Sequence, residues 1–204
     1  WGTGVGVEAQ PDELLTGGRK LPWKEGGGMP LTDWELLPEK QADVCIVGMG
    51  TAGVWAAKAA HQHGAAVWGV ELTPYMGGTR TLGGVSGRYY GNRSRFFTHM
   101  TEELSRYAKR FQPEGMCASV SAVTEILYYH AVLQDTDFAP CTLACAAQVR
   151  NGRISRVLMA GEEGIYSVAA RQFIDASGNG ALAVLAGCSY DMGDEAVGAT
   201  QNYS

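Results

Sequence analysis

The chain has 204 residues, 46% hydrophobic and 18% charged, with a net charge of −5 at neutral pH. That length suits one ordinary domain with a real core, and the acidic balance argues against nucleic acid or an anionic membrane surface as the main partner. No apolar run approaches the roughly 20 residues that cross a bilayer. The cysteines (Cys45, Cys117, Cys141, Cys145, Cys188) form no CxxC pair and no zinc spacing, which fits reduced, buried thiols.

Residues 1–41 read as an irregular arm, rich in glycine and carrying Pro11, Pro22, Pro30 and Pro38, with a short helical turn around Pro11–Leu15. Trp23 and Trp34 suggest that the arm lies against a protein surface, its own or a partner's. The pattern changes at Ala42. Val44-Cys45-Ile46-Val47 is a short apolar run with charge before it and glycine after, the mark of a strand buried on both faces. Residues 51–63 read as an Ala-rich helix stopped by Gly64. Ala66–Val70 is a second buried strand ending at Glu71, so the two strands should be parallel with a right-handed crossover.

Residues 72–97 hold many glycines and no good helix or strand, which predicts a long functional loop. Thr98 or Thr101 can cap a helix over 101–111, with Glu102 and Glu103 in its first turn. A second helix is expected over Ser121–Gln134, with Val123, Ile126, Leu127, His130 and Leu133 as its apolar stripe. Strands follow at 138–149, 154–160 and 165–175, joined by turns at Asn151-Gly152 and Glu163-Gly164. Phe173-Ile174-Asp175 runs into a glycine turn, Ser177-Gly178-Asn179-Gly180, and a short helix over 181–186. Residues 188–204 show no settled pattern.

The chemistry concentrates in Gly48-Met49-Gly50-Thr51-Ala52-Gly53. Gly48 permits a tight exit from the strand, Gly50 removes the side chain that would block a pyrophosphate, and Gly53 lets the helix pack close to the sheet. Thr51 and Ala52 open that helix, whose N-terminus offers amides and positive dipole to an anion. Glu71 is placed to meet the ribose hydroxyls of a dinucleotide and would repel a 2′-phosphate. A tight turn made only for packing, with Glu71 as a surface acid, is the bland alternative. The turn by itself does not separate FAD from NAD.

Pro74-Tyr75-Met76-Gly77-Gly78-Thr79-Arg80-Thr81-Leu82-Gly83-Gly84 resembles the loop after the acid in FAD-dependent oxidoreductases of the glutathione-reductase-like superfamily, in the branch related to fumarate reductase flavoproteins. The resemblance implies that Gly77 and Gly78, followed by Thr79 and Arg80, lie along the diphosphate and flavin end of FAD. Phe173-Ile174-Asp175-Ala176-Ser177-Gly178-Asn179-Gly180-Ala181-Leu182-Ala183 is similar to the family's I-D-A-T-G-D-G-D-L-A segment, with Ser177 in place of Thr and with Asn179 and Ala181 in place of acids. Gly178, Asn179 and Gly180 are thereby expected at the cofactor, without a carboxylate role. Gly198-Ala199-Thr200-Gln201 resembles the family's entry into its substrate domain.

The resemblance covers roughly residues 42–204. It implies an α/β fold: a Rossmann-like parallel sheet with the FAD-binding βαβ unit, over 42–187, and a small inserted antiparallel β-meander at about 138–175. Residues 188–204 would begin a substrate domain or linker. Family members are considerably longer, with a substrate domain and a C-terminal return to the sheet that contacts the flavin. The expectation is therefore a flavoprotein portion that transfers hydride between a small organic substrate and FAD, completed by a complementary polypeptide in a hetero-oligomer, from proteolysis or split genes, or by sequence that simply lies outside this chain. An NAD-linked dehydrogenase and a non-catalytic nucleotide-binding assembly subunit are the competing readings.

Further candidates are the loop arginines Arg80, Arg88, Arg93 and Arg95, whose forks suit a diphosphate or a substrate carboxylate. Tyr89 and Tyr90 could cover the flavin, or pack as ordinary buried aromatics. His61 and His63 suit a helix C-terminus, His99 is a candidate acid/base or flavin attachment point, and the four histidines, with His130, form no ligand set. No catalytic residue is assigned, and no metal constellation, P-loop or nucleophile elbow is present.

Overall fold

The computed structural model describes residues 14–15, 34–85, 95–111 and 121–190. Its strands are β1 (Leu14–Leu15), β2 (Glu39–Val47), β3 (Val67–Val70), β4 (Asp137–Ala139), β5 (Leu143–Arg150), β6 (Arg153–Gly161) and β7 (Gly164–Asp175). The helices are α1 (Thr51–Gln62), α2 (Arg95–Ala108), α3 (Ala122–Val132) and α4 (Ala181–Leu185). The strands form one sheet in the order β1-β5-β6-β7-β2-β3-β4. β7, β2, β3 and β4 are mutually parallel, and β1, β5, β6 and β7 are joined antiparallel. The fold is thus α/β with a parallel core and antiparallel hairpins, as the sequence predicts.

β7 belongs to both halves. Its first residues pair with β6, up to Arg156 opposite Ala169, while its whole second half runs beside β2 until Asp175 stands level with Val47. That long partner explains why β2 begins at Glu39 rather than at Val44. The extra residues are mostly polar and only partly covered, so no apolar run marked them.

The alternation of β2 splits the core. Ile46 faces α1, α2 and α3 together with Val54, Trp55, Met100, Leu104, Tyr128 and Tyr129. Cys45 and Val47 face the other side with Val70, Ala147, Val157, Met159, Val168 and Leu182. Burial pushes the Cys45 thiol up to about 12, so this cysteine is the inert packing group expected. Cys141 and Cys188 are exposed, against expectation, and Cys145 is partly buried.

The segment 138–149 is not one strand. Asp137–Ala139 is the outermost parallel strand beside β3, and the meander begins only at Leu143. Pro140 has no amide to donate, Cys141 takes a left-handed φ of 49°, and the Thr142 amide leaves the ladder for the Glu71 carbonyl. Asn151 and Gly152, both at positive φ (52° and 72°), make the tight turn expected between β5 and β6.

The expected helical turn near Leu15 is instead the edge strand β1, paired with Gln148 and Ala147 of β5. Trp34 is buried against Ala146 and Leu158, so this part of the arm lies on the chain's own meander. α2 starts at Arg95, not Thr101, because Met100, Leu104 and Ala108 recur every four residues on one buried stripe. Thr98 and Thr101 therefore sit inside the helix rather than at its cap. α3 is capped by Ser121, whose Oγ accepts from the Thr124 amide at 3.2 Å.

The expected stripe of α3 is rotated. Val123 and Leu127 are exposed (65% and 43%), while Glu125, Tyr128 and Tyr129 are buried. Polar partners inside the protein decide that orientation. Trp23, Arg88, Tyr89, Tyr90, Arg93, Cys117 and Gly198-Ala199-Thr200-Gln201 lie outside the described residues, as does the side chain of Arg95.

Candidate cofactor site

Three turns meet at the carboxyl ends of adjacent parallel strands. The Gly48 amide donates to the Val70 carbonyl at 2.9 Å, and the Ala176 amide donates to Val47 at 2.8 Å. The turns leaving β2, β3 and β7 therefore stand side by side, where open α/β sheets form their ligand crevice.

The glycines of the first turn divide into two kinds. Gly48 has φ +94°, and a Cβ there would stand 2.4 Å from the Ala176 carbonyl oxygen. A Cβ on Gly53 would stand 1.9 Å from the Gly48 carbonyl oxygen. The fold itself demands both. Gly50 differs: its φ of −64° and ψ of −169° suit any residue, and an added Cβ would meet only the Gly78 Cα, at 3.9 Å. Among the described residues, nothing requires glycine at that position. What it provides is open space in front of α1.

That helix begins with no side-chain cap and no acid in its first turn, so its leading amides and positive dipole are directed at the same space. An anionic diphosphate fits such a place.

Glu71 is buried (8% exposed) rather than a solvated strand-end acid. One carboxylate oxygen accepts from the Met49 amide at 2.8 Å, and the other accepts from the Thr73 amide and hydroxyl, both at 3.0 Å. It ties the end of β3 to the glycine turn, and a carboxylate with about four acceptor directions retains capacity beyond these three donors. Gly77 bridges to Gly50, its amide donating to the Met49 carbonyl at 2.8 Å and its carbonyl accepting from the Thr51 hydroxyl at 3.3 Å. Gly77 and Gly78 thus lie alongside the turn. Thr79 is exposed beyond them, within the single helical turn Gly78–Arg80.

Arg80 has a different occupation from the one expected. Its guanidinium meets the buried Glu125 of α3, with Nη2 2.6 Å from one carboxylate oxygen and Nε 3.4 Å from the other, and Nη1 donates to the Val85 carbonyl at 3.2 Å. The fork intended for a ligand anion is engaged by the protein's own carboxylate. Glu125 carried one usable signal: a lone acid on an otherwise apolar helix face.

The second glycine turn is pinned by Asp175. Its carboxylate accepts from the Ser177 amide at 3.0 Å, the Ser177 hydroxyl at 2.6 Å and the Ala183 amide at 2.9 Å. Ser177 in turn accepts from the Ala181 amide at 2.9 Å, which satisfies the leading amide of α4. Gly178 and Gly180 hold left-handed φ values of 84° and 71° with open space at their Cβ positions, and Asn179 is exposed between them.

Partial burial acts to raise the Asp175 pKa, but the hydrogen bonds from Ser177 and the α4 amides outweigh it and hold the group below its ordinary 3.8. A depressed folded value means stability that is complete above the ordinary value and lost as pH falls through the lower one. Asp175→Asn should therefore lower the melting temperature at neutral pH and flatten its decline below about pH 4, as followed by thermal melts across the acid range. An unchanged acid profile would contradict this assignment.

His61 and His63 stand at the far end of α1 from the first glycine turn. His61 lies in the last turn of α1 and the exposed His63 caps it. His99 is exposed, 3.9 Å from Glu103, and His130 packs edge-on against Phe138. Among the described residues, no helix is long and apolar enough to cross a membrane.

The model of the family described as FAD dependent oxidoreductase matches residues 43–203. No curated protein matches the chain. Among solved structures it is similar to THI4 of Thermovibrio ammonificans, at 18% identity and TM-score 0.50 over 68% of this chain and 58% of that one. It is also similar to a geranylgeranyl bacteriochlorophyll reductase-like protein of Thermoplasma acidophilum (16% identity, TM-score 0.47, 68% of this chain and 39% of that one). A third is the L-proline dehydrogenase of P. horikoshii (15% identity, TM-score 0.45, 69% of this chain and 23% of that one). The chain spans less than two thirds of each. The match to THI4 bears on fold alone. The family match, covering most of the chain from β2 onward, establishes that this chain belongs to the FAD-dependent oxidoreductase family, with FAD as its cofactor.

Proposed function

We propose that this chain is the FAD-binding portion of a flavin-dependent oxidoreductase, and that it holds the FAD diphosphate over Gly50, against the leading amides of Thr51, Ala52 and Gly53. The observation that carries the reading is Gly50 itself: the fold has no need of a glycine there, and a ligand at the helix N-terminus does. Gly48 and Gly53 build the turn. Glu71 fixes the Met49 amide and presents its remaining acceptor capacity to the adenosine ribose. Gly77, Gly78 and Thr79 line the path toward the flavin, with Arg80 holding that loop in place. Gly178, Asn179 and Gly180 supply open backbone on the neighbouring strand end.

The bound FAD supplies the hydride-accepting ring. The cofactor unit spans 42–187 on this reading, with 1–41 as an arm and 188–204 leading toward a substrate domain. The chain covers 58% of the THI4 chain, which supports a site completed by protein outside these residues, in a complementary polypeptide or further sequence, that selects a small organic substrate.

The test is titration of the protein, with its complementary polypeptide, against FAD and against NAD. Saturable binding of FAD, with flavin absorbance and FAD released on denaturation, is the expected result. A colourless complex that takes up NAD and rejects FAD would overturn it.

A further inference from the structure

We infer that Arg80, Glu125 and Tyr129 form a buried clamp that sets the height of the Gly77–Gly78 loop over the glycine turn, making them positioning residues for FAD. The inference rests on the cofactor reading above and deepens it.

Glu125 is fully buried on α3, and the Arg80 side chain is only 9% exposed. A buried ion pair is generally no more stabilising than well-packed apolar side chains of similar volume. An ionic group here therefore suggests directional fixing rather than added stability. Its hydrogen bonds supply that direction. Arg80 binds the carboxylate with two guanidinium nitrogens, and the Tyr129 hydroxyl donates to the same carboxylate. The Tyr129 ring supports the other end of the loop: a Cβ on Gly77 would stand 3.0 Å from its Cε2.

Both ends of the short segment Gly77–Arg80 are thus referred to one carboxylate. From Gly77 the constraint passes onward through its amide to the Met49 carbonyl and through its carbonyl to the Thr51 hydroxyl. The path runs from α3, through the loop, to the turn that faces the diphosphate. Misplacement of a binding loop by about 1 Å is enough to cost a large factor in function.

The molecule contains its own control. Lys58, Glu103 and Tyr128 form a similar ionic network among α1, α2 and α3. Among the described residues, none of its hydrogen bonds reaches the Gly77–Arg80 segment.

The experiment compares two apolar replacements in the protein together with its complementary polypeptide: Arg80→Met/Glu125→Leu/Tyr129→Phe, and Lys58→Met/Glu103→Leu/Tyr128→Phe. Melting temperature and amide exchange over residues 76–85 are read without FAD; FAD affinity and visible circular dichroism of the flavin are read with it. The clamp variant should melt near the control variant, exchange its loop amides faster, bind FAD about tenfold more weakly, equivalent to about 1.4 kcal/mol, and show an altered flavin dichroism. The control variant should keep the parental FAD affinity.

A folded clamp variant with unchanged FAD affinity and dichroism would overturn the clamp. If that variant does not fold, Arg80→Lys, which keeps the charge and loses the fork, decides by the same readouts: weaker FAD binding with altered dichroism supports the clamp, and unchanged values overturn it. Gly50→Val in the same assay separates the two readings. Loss of FAD there while Arg80→Lys leaves binding unchanged rejects the clamp alone. FAD retained by Gly50→Val rejects the cofactor site and the clamp with it.

Discussion

Gly50→Val should weaken FAD binding on the order of 100-fold while leaving the melting temperature within a few degrees of the parent. The backbone at Gly50 is already in a conformation open to any residue, and the first atom a Cβ meets is 3.9 Å away. The added side chain therefore costs the protein little. It fills the space through which the diphosphate reaches the α1 amides. Losing two charge-assisted hydrogen bonds at about 1.5 kcal/mol each gives roughly 3 kcal/mol, a fall in affinity on the order of 100-fold. Gly53→Ala should behave in the opposite way. Its Cβ would lie 1.9 Å from the Gly48 carbonyl oxygen, so the turn or helix must move, at a cost of more than about 4 kcal/mol. Melts and FAD titrations of the pair should show loss of cofactor with retained fold for one, and loss of fold for the other. A Gly50→Val protein that binds FAD normally would remove the basis of the site.

Glu71→Leu should lose both stability and FAD. The carboxylate is the acceptor for three donors: the Met49 amide, the Thr73 amide and the Thr73 hydroxyl. Glu71 is only 8% exposed, so water replaces it poorly. A donor left unsatisfied in such a place costs about 1–3 kcal/mol. A total near 3 kcal/mol corresponds to a fall in melting temperature of roughly 10 °C for a domain of this size. Glu71→Gln keeps one acceptor oxygen and should fall between. Equal melting temperatures for Glu71→Leu and its parent would contradict the buried tie, whatever the effect on FAD.

Much of the parallel core was legible because its signals are local. A charge–apolar run–glycine sequence marks β2, and an Ala-rich stretch between two glycines marks α1. Asn151-Gly152 needs two left-handed residues and so announces its hairpin. The glycine turn was readable for the same reason, since strand, turn and helix are contiguous.

What stayed hidden depends on partners far along the chain. β2 extends back to Glu39 only because β7 is long enough to pair with it. Asp137–Ala139 reads like the start of a hairpin, yet pairs with β3 across the sheet. The rotated face of α3 follows from Glu125 meeting Arg80, and an acid amid apolar neighbours looks like an error in the stripe until its partner is known. Arg80 shows the same limit from the other side: a loop arginine suits a ligand anion, but a buried carboxylate of the protein engages it first.

The most direct measurement is an experimental density map of the FAD-loaded protein. Diphosphate oxygens within about 3 Å of the Thr51 and Ala52 amides, passing over the Gly50 Cα with the ribose against Glu71, are the predicted result. A diphosphate bound elsewhere, with another side chain seated in front of Gly50, would contradict the account.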